Sequence, residues 1–255
     1  MDSQKLFSDK WLTVHQQYID GALLEIKETK QYRWFEYGGI SIQSLMSIAQ
    51  PEKVMMPVSQ SLLLFLLIQK GSLNVLNLGL GGGALERALV NIPNLSLSSV
   101  DASQSIIDMA KDYFNLPEKI AVFCQQAEQF IQETTAQYDV ILCDLFIGEE
   151  NPGFLFTHNF YEQLAKITHH RAIISINIQA DTNQQLLLAL FAIKKHFPCI
   201  ALIEFDYYSN IVIICSLEKI PNKAVLKQRL ANFTQLELTD LGEIIENISY
   251  IPPRK

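Results

Sequence analysis

The run Val75-Leu76-Asn77-Leu78-Gly79-Leu80-Gly81-Gly82-Gly83-Ala84 constrains this chain more than any other stretch. A short apolar strand stops at a glycine, and a helical pattern opens at Ala84. Glycine lets the backbone turn sharply there and lets a ligand lie against the main chain. Amides at a helix start can then receive polar or anionic groups. Twenty-two residues beyond Gly79, Asp101 ends the next apolar run, where a carboxylate can accept both hydroxyls of a ribose. Ala102 shares that corner, and Ser103 is an N-cap for the next helix. Gly79-x-Gly81-x-x-Ala84 fits a dinucleotide as well as an adenosyl sulfonium, so the loop alone leaves both open.

The surrounding pattern alternates strand and helix. Strands are predicted at residues 75–78, 95–100, 120–124, 140–143 and 172–178, with helices at 84–91, 104–113, 127–133 and 159–167. The strands are unbroken apolar runs, as expected when helices cover both faces of a mostly parallel sheet. A helix at 184–197 leads to strands at 200–205 and 211–215. The turn between those strands is too short for a parallel crossover, so they form an antiparallel hairpin. Five parallel strands closed by a hairpin is the Rossmann-like layout of class I S-adenosylmethionine-dependent enzymes, and it tips the glycine loop toward the sulfonium. Upstream, β-type runs at 23–27, 32–37 and 40–44, separated by turn residues, predict a small antiparallel sheet. Pro51 divides the chain into a β domain, residues 1–51, and a nucleoside-binding domain, residues 52–255. A helix is expected at 59–69, with Pro57 in its first turn and Gly71 as its stop. The tail from Pro221 reads as helical with a surface terminus.

Composition narrows the partners. With 49% hydrophobic residues among 255, the chain can bury a full core, which excludes disorder. A net charge of −7 argues against nucleic acid and leaves room for a small cationic ligand. Cys124, Cys143, Cys199 and Cys215 each sit in an apolar run without a CxxC pair, the pattern of buried free thiols rather than disulfides or metal ligands. Adjacent histidines, His169 and His170, diverge, so no metal is expected. The N-terminus lacks a signal-type apolar core, and the apolar stretch at 62–68 is far below the ~20 residues of a membrane span. The expectation is a soluble cytoplasmic protein.

Two more strand ends face the same crevice. Gln126, after Cys124-Gln125, offers a donor and an acceptor to an adenine edge, with Ala127 beside it. Asp144, directly after Val140-Ile141-Leu142-Cys143, can hold a cationic amine or sulfonium, or act as a base.

The run at residues 75–83, Val100-Asp101, Tyr138-Asp139-Val140-Ile141-Leu142-Cys143-Asp144 and Phe154-Leu155-Phe156-Thr157-His158-Asn159-Phe160-Tyr161-Glu162 resemble the spermidine synthase (polyamine aminopropyltransferase) family. The upstream Ile42-Gln43-Ser44 fits as well, and the resemblance runs from about residue 30 to 216. It implies a β-sheet domain on a Rossmann-like catalytic domain, commonly dimeric. It also implies transfer of an aminopropyl group from decarboxylated S-adenosylmethionine to a polyamine, the donor being a co-substrate rather than a tightly bound cofactor. By resemblance Gln43 contacts the nucleoside and Asp101 the ribose. Gln126 and Ala127 stand where the family has an Asp-Gly pair reading adenine. Asp144 matches the first acid of an Asp-x-x-Asp motif that holds the donor's amine.

The second acid of that motif, which accepts the proton, falls at Ile147. The segment Val54-Met55-Met56-Pro57-Val58-Ser59 likewise lacks the polyamine-binding phenol and carboxylate. This pattern resembles the spermidine synthase-like branch. Glu149 and Glu150 either replace the missing acid or form an exposed charged loop. Tyr207 and Tyr208 either wall the acceptor pocket or pack on the sheet edge. A methyltransferase on the same scaffold and a non-catalytic relative are the rival readings. Arg87, the one cation near the glycine loop, bears on the choice, and its direction is not readable from sequence.

Overall fold

The computed structural model describes residues 10–252, apart from 20, 39, 40, 149, 181 and 235–237. A four-stranded antiparallel sheet comes first: β1 (Leu12–Ile19), β2 (Ala22–Glu28), β3 (Tyr32–Tyr37) and β4 (Ser41–Ser47), in that spatial order. The last three coincide with the sequence runs. β1 was not expected, because as an edge strand it keeps Leu12, Thr13, Val14, Gln16 and Tyr18 exposed and carries little apolar alternation.

Two short helices follow, α1 (Pro57–Leu62) and α2 (Phe65–Ile68), where one helix over 59–69 was expected. Pro57 does open the first. The break at residues 63–64 has a local cause. Leu62, Leu63, Leu64 and Phe65 are all fully buried, and backbone bonds tighten to three-residue spacing there, Leu63 N to Gln60 O at 3.0 Å and Leu64 N to Ser61 O at 3.2 Å. Then come β5 (Leu73–Leu78), α3 (Ala84–Leu89), β6 (Leu95–Asp101), α4 (Gln104–Tyr113), β7 (Ala121–Cys124), α5 (Ala127–Glu133) and β8 (Tyr138–Cys143). A 3₁₀ turn at Gly153–Phe156 leads to α6 (His158–Lys166), β9 (Thr168–Gln179), α7 (Asn183–Lys194), β10 (Cys199–Phe205) and β11 (Tyr208–Ser216). The chain closes with α8 (Lys223–Leu230), α9 (Leu241–Glu246) and β12 (Ile248–Ile251).

The large sheet has the order β12-β10-β11-β9-β8-β5-β6-β7. Strands β7, β6, β5, β8 and β9 are parallel, and β11 and β10 add antiparallel. This is the class I methyltransferase-like arrangement, with a small antiparallel sheet ahead of it. Two details differ from expectation. The hairpin turn holds only Asp206 and Tyr207, since β11 begins at Tyr208, and the tail returns as a strand, β12, against β10.

Side chains of β8 explain the unbroken apolar runs. Val140 and Leu142 join the core on one face of the sheet, while Ile141 and Cys143 join the core on the other. All four cysteines are free, yet only Cys143 and Cys215 are buried. Cys124 is exposed because β7 is an edge strand, and Cys199 is half-buried at the start of β10. The small sheet is fixed to the large unit through Leu24, Ile26, Phe35 and Met46, which pack on Met109 and Phe114 at the end of α4. Among the described residues no helix is long and apolar enough to cross a membrane.

Candidate functional site

The carboxyl ends of β5, β6 and β8 converge on the glycine loop. Gly79 has φ +96°, and a Cβ there would stand 2.1 Å from the Asp144 carbonyl oxygen, so only glycine lets β5 and β8 close together. At Gly82 an added Cβ would lie 2.4 Å from Ser44 Oγ, because β4 presses directly on the loop. Asp101 organises the same corner. Its Oδ2 accepts from Leu80 N at 3.0 Å and its Oδ1 from Ser103 N at 2.9 Å. Burial pushes the Asp101 carboxyl up, and these amide bonds pull it partly back. Ser103 caps α4 as the sequence indicates, its Oγ accepting from Ile106 N.

A cavity of about 540 Å³ opens over this loop. Gly79, Gly81, Gly82, Asp101 and Ala102 form its floor, and Gln126, Ala127 and Asp144 continue around it. Gln43, Ser44, Phe35 and Tyr37 close it from the small sheet. Other predicted residues stand elsewhere. Gly83 faces away and serves as the left-handed N-cap of α3. Glu150 is exposed and lies outside the lining. Its backbone is bridged to Ile147, with Ile147 N to Glu150 O at 2.8 Å. Tyr207 sits at the tip of a two-residue turn, 94% exposed, and does not line the cavity, while Tyr208 packs edge-on against Phe205. Glu149 lies outside the described residues.

Asp144 is held from behind by residues that carry no motif. Its backbone amide donates to Leu78 O at 2.9 Å, and its Oδ1 accepts from Asn177 Nδ2 at 2.8 Å. Asn177 Oδ1 accepts from Asn210 Nδ2 at 3.0 Å, so β9 and β11 are joined behind the acid. Asn151 braces the adjoining loop, donating to Leu145 O at 2.8 Å and accepting from Gln179 N at 2.6 Å. The available signal was Asn177 itself, a polar residue inside Ile174-Ser175-Ile176-Asn177-Ile178 that no surface position explains.

Burial pushes the Asp144 carboxyl up, and the Asn177 amide pulls it down. An Asn177→Leu variant removes the second influence, so Asp144 should ionise at higher pH. A cationic ligand that needs the carboxylate should then be lost at a higher pH on acidification. The midpoint should therefore rise in a titration of ligand affinity against pH, and an unmoved midpoint would show that Asn177 does not act on the acid.

The helix behind the loop answers the question about Arg87. Its Nε donates to Pro51 O at 2.7 Å, and its Nη1 donates to Phe114 O at 2.6 Å and to Gly82 O, away from the cavity. Burial lowers the guanidinium to about 10, so it stays charged at neutral pH. Glu86 is also buried, its Oε1 accepting from Asn77 Nδ2 and Ser99 Oγ, both at 2.6 Å. Among the described lining residues the charged side chains are therefore Asp101 and Asp144, both acidic.

The cavity lies at the carboxyl ends of a class I methyltransferase-like sheet, a fold shared by spermidine synthases and methyltransferases, and the separate small sheet walls one side of it. The chain belongs to the spermine/spermidine synthase domain family, whose model matches residues 58–217. A polyamine aminopropyltransferase of Chromobacterium violaceum is 26% identical over 158 residues, 60% of each chain. An N-terminal histidine N-methyltransferase of Emericella nidulans is 29% identical over 156 residues, 56% of this chain and 28% of that protein. The match thus spans about three fifths or less of these relatives' own lengths. In fold, a probable spermidine synthase from Corynebacterium glutamicum superposes with a TM-score of 0.76 at 15% identity, covering 92% of this chain and 89% of that one. Human methyltransferase-like protein 13 superposes with a TM-score of 0.58 at 20% identity, covering 78% of this chain and 92% of that one.

Proposed function

We propose that this protein is a spermidine synthase-like transferase that binds decarboxylated S-adenosylmethionine and transfers its aminopropyl group to an amine. The supporting observation is the sign of charge around the cavity. Asp101 and Asp144 line it, and Arg87, the cation behind the glycine loop, donates to three backbone carbonyls. A donor that ends in an ammonium complements these acids, whereas one that also carries a carboxylate is opposed by them. Asp101 receives the ribose, Gln43 and Gln126 bound the nucleoside, and Asp144 holds the donor's terminal amine.

The reaction asks little covalent help of the protein. The amine nitrogen and the sulfonium-bound carbon must meet in line at about 3–3.5 Å. The displaced proton passes to water, because Ile147 stands at the mouth where an acid would take it and Glu150 is exposed beside it. A methyltransferase reading draws on the Emericella relative and the human fold neighbour. It would need the loop amides for a carboxylate, and Leu80 N is already given to Asp101.

A thermal-shift panel separates these readings. Decarboxylated S-adenosylmethionine and methylthioadenosine at ~100-fold over Kd should each stabilise by about 2.7 kcal/mol. That corresponds to roughly 5–10 °C for a chain of this size. S-adenosylmethionine should shift the melting temperature less, and NAD not at all. A larger shift with S-adenosylmethionine would favour methyl transfer, and silence from every nucleoside would refute the binding reading.

A further inference from the structure

The acid that holds the donor's amine, on the reading just given, ends a polar chain that crosses three strands. Asn177 Nδ2 donates to Asp144 Oδ1 at 2.8 Å, and Asn210 Nδ2 donates to Asn177 Oδ1 at 3.0 Å. Asp144 follows β8, Asn177 lies in β9 and Asn210 in β11, which are neighbours in the sheet. Asn177 is 4% exposed, so its amide depends on these two partners. The direction of the chain matters. An ionised carboxylate only accepts and takes the N–H end of Asn177, whereas a protonated one also donates and can take the carbonyl end. Whichever end faces Asp144, the other faces Asn210. Asn210 donates, and that arrangement serves the carboxylate. Titratable side chains around the acid leave the choice to these amides. Burial raises the Cys143 and Cys215 thiols and the Tyr161 phenol, on β8, β11 and α6, so all three are neutral at neutral pH. Asp101 lines the cavity from the end of β6 with its oxygens on backbone amides, and Glu150 is exposed in the loop after β8.

We infer that Asn210 is a positioning residue for Asp144: by donating to Asn177 it turns that amide's N–H toward the acid and favours the carboxylate that binds the donor's ammonium. It acts without touching the ligand, since neither Asn177 nor Asn210 lines the cavity. Backbone register keeps the two amides adjacent, with Asn177 opposite Val212 and Gln179 opposite Asn210 in the antiparallel pair. Asn151 closes the same corner, its Nδ2 donating to Asn177 O at 3.4 Å and its Oδ1 accepting from Gln179 N at 2.6 Å. An Asn210→Asp substitution would reverse the chain. A carboxylate at that position cannot donate, so it takes the N–H end of Asn177. The carbonyl end then turns to Asp144, where only the protonated acid can donate to it.

The test follows the affinity of the whole protein for decarboxylated S-adenosylmethionine against pH. Methylthioadenosine, which lacks the amine, is the reference ligand. Asn210→Asp should raise the midpoint at which the donor is lost on acidification, and leave methylthioadenosine affinity within about twofold. Below the midpoint one pH unit is worth about tenfold in affinity, so a rise of about half a unit reads as about threefold weaker donor binding. A new charge at position 210 would also raise Asp144 through space, and a double-mutant cycle removes that part. In an Asn177→Leu background the relay is absent, so the rise caused by Asn210→Asp should be smaller there by the equivalent of at least about threefold in affinity. Asn177→Ala replaces the leucine variant if that protein no longer binds methylthioadenosine. Equal rises in the two backgrounds, no rise in either, or loss of methylthioadenosine binding on Asn210→Asp alone overturns the inference while the unmodified protein still binds both ligands. Failure of the unmodified protein to bind either ligand overturns both this inference and the function proposed above.

Discussion

A Gly79→Ala variant should melt well below the parent protein and bind no nucleoside. The methyl group would have to occupy a point 2.1 Å from the Asp144 carbonyl oxygen, at a backbone φ of +96°. A side chain in that conformation costs about 1–3 kcal/mol before any overlap is counted. Relief of the overlap must push β8 away from β5, where Asp144 N bonds Leu78 O at 2.9 Å. A loss of about 3 kcal/mol or more is expected, roughly 6–12 °C by thermal denaturation. Gly153→Ala is the control, since that glycine has ordinary φ and nothing within 4 Å, and it should stay within about 0.5 kcal/mol. Retained affinity for methylthioadenosine in Gly79→Ala would show that the loop does not seat the nucleoside.

Asp144→Asn should do the opposite to stability while removing transfer. The Asp144 carboxyl is held above its ordinary range, chiefly by burial. Folding therefore favours its protonated form, and stability falls as pH rises from the ordinary aspartate range through the raised value. Wherever the carboxylate is ionised it carries that cost, and asparagine removes it while keeping an acceptor for Asn177. The melting temperature at neutral pH should stay level or rise. Turnover should suffer, because breaking a buried charge pair costs about 3–5 kcal/mol, about two to nearly four orders of magnitude in kcat/KM for aminopropyl transfer. Full turnover in the variant would take Asp144 out of the mechanism.

Much of this architecture was legible in the amino-acid order because one physical signal dominated. Helices covering both faces of a sheet demand continuous apolar strands, and glycine at the end of β5 leaves few alternatives to a tight strand-to-helix turn. Helices Gln104–Tyr113 and Ala127–Glu133 are accordingly found at the expected residues. Where burial weakens, the signal fades. β1 and β12 lie at sheet edges, and their patterns are too polar or too short to announce a strand. The floor of the cavity could be inferred from strand ends, which place Asp101 and Asp144 without side-chain detail. Arg87 and Asn177 were opaque because their roles depend on rotamer and on partners 36 and 33 residues distant. Tyr207 illustrates the converse. An aromatic in a hairpin suggests a pocket wall, yet shortening the turn by a few residues carries it out to solvent.

The press of Ser44 on Gly82, reinforced by Arg87 reaching Pro51, has an evolutionary reading. The matched family segment starts at residue 58, but the cavity is walled by both sheets. Neither half can drift alone: a bulkier residue at position 44 would collide with the loop, and a side chain at position 82 would collide with the strand. Exchange of this N-terminal sheet for another would therefore replace half of the cavity wall together with the surface that fits the glycine loop.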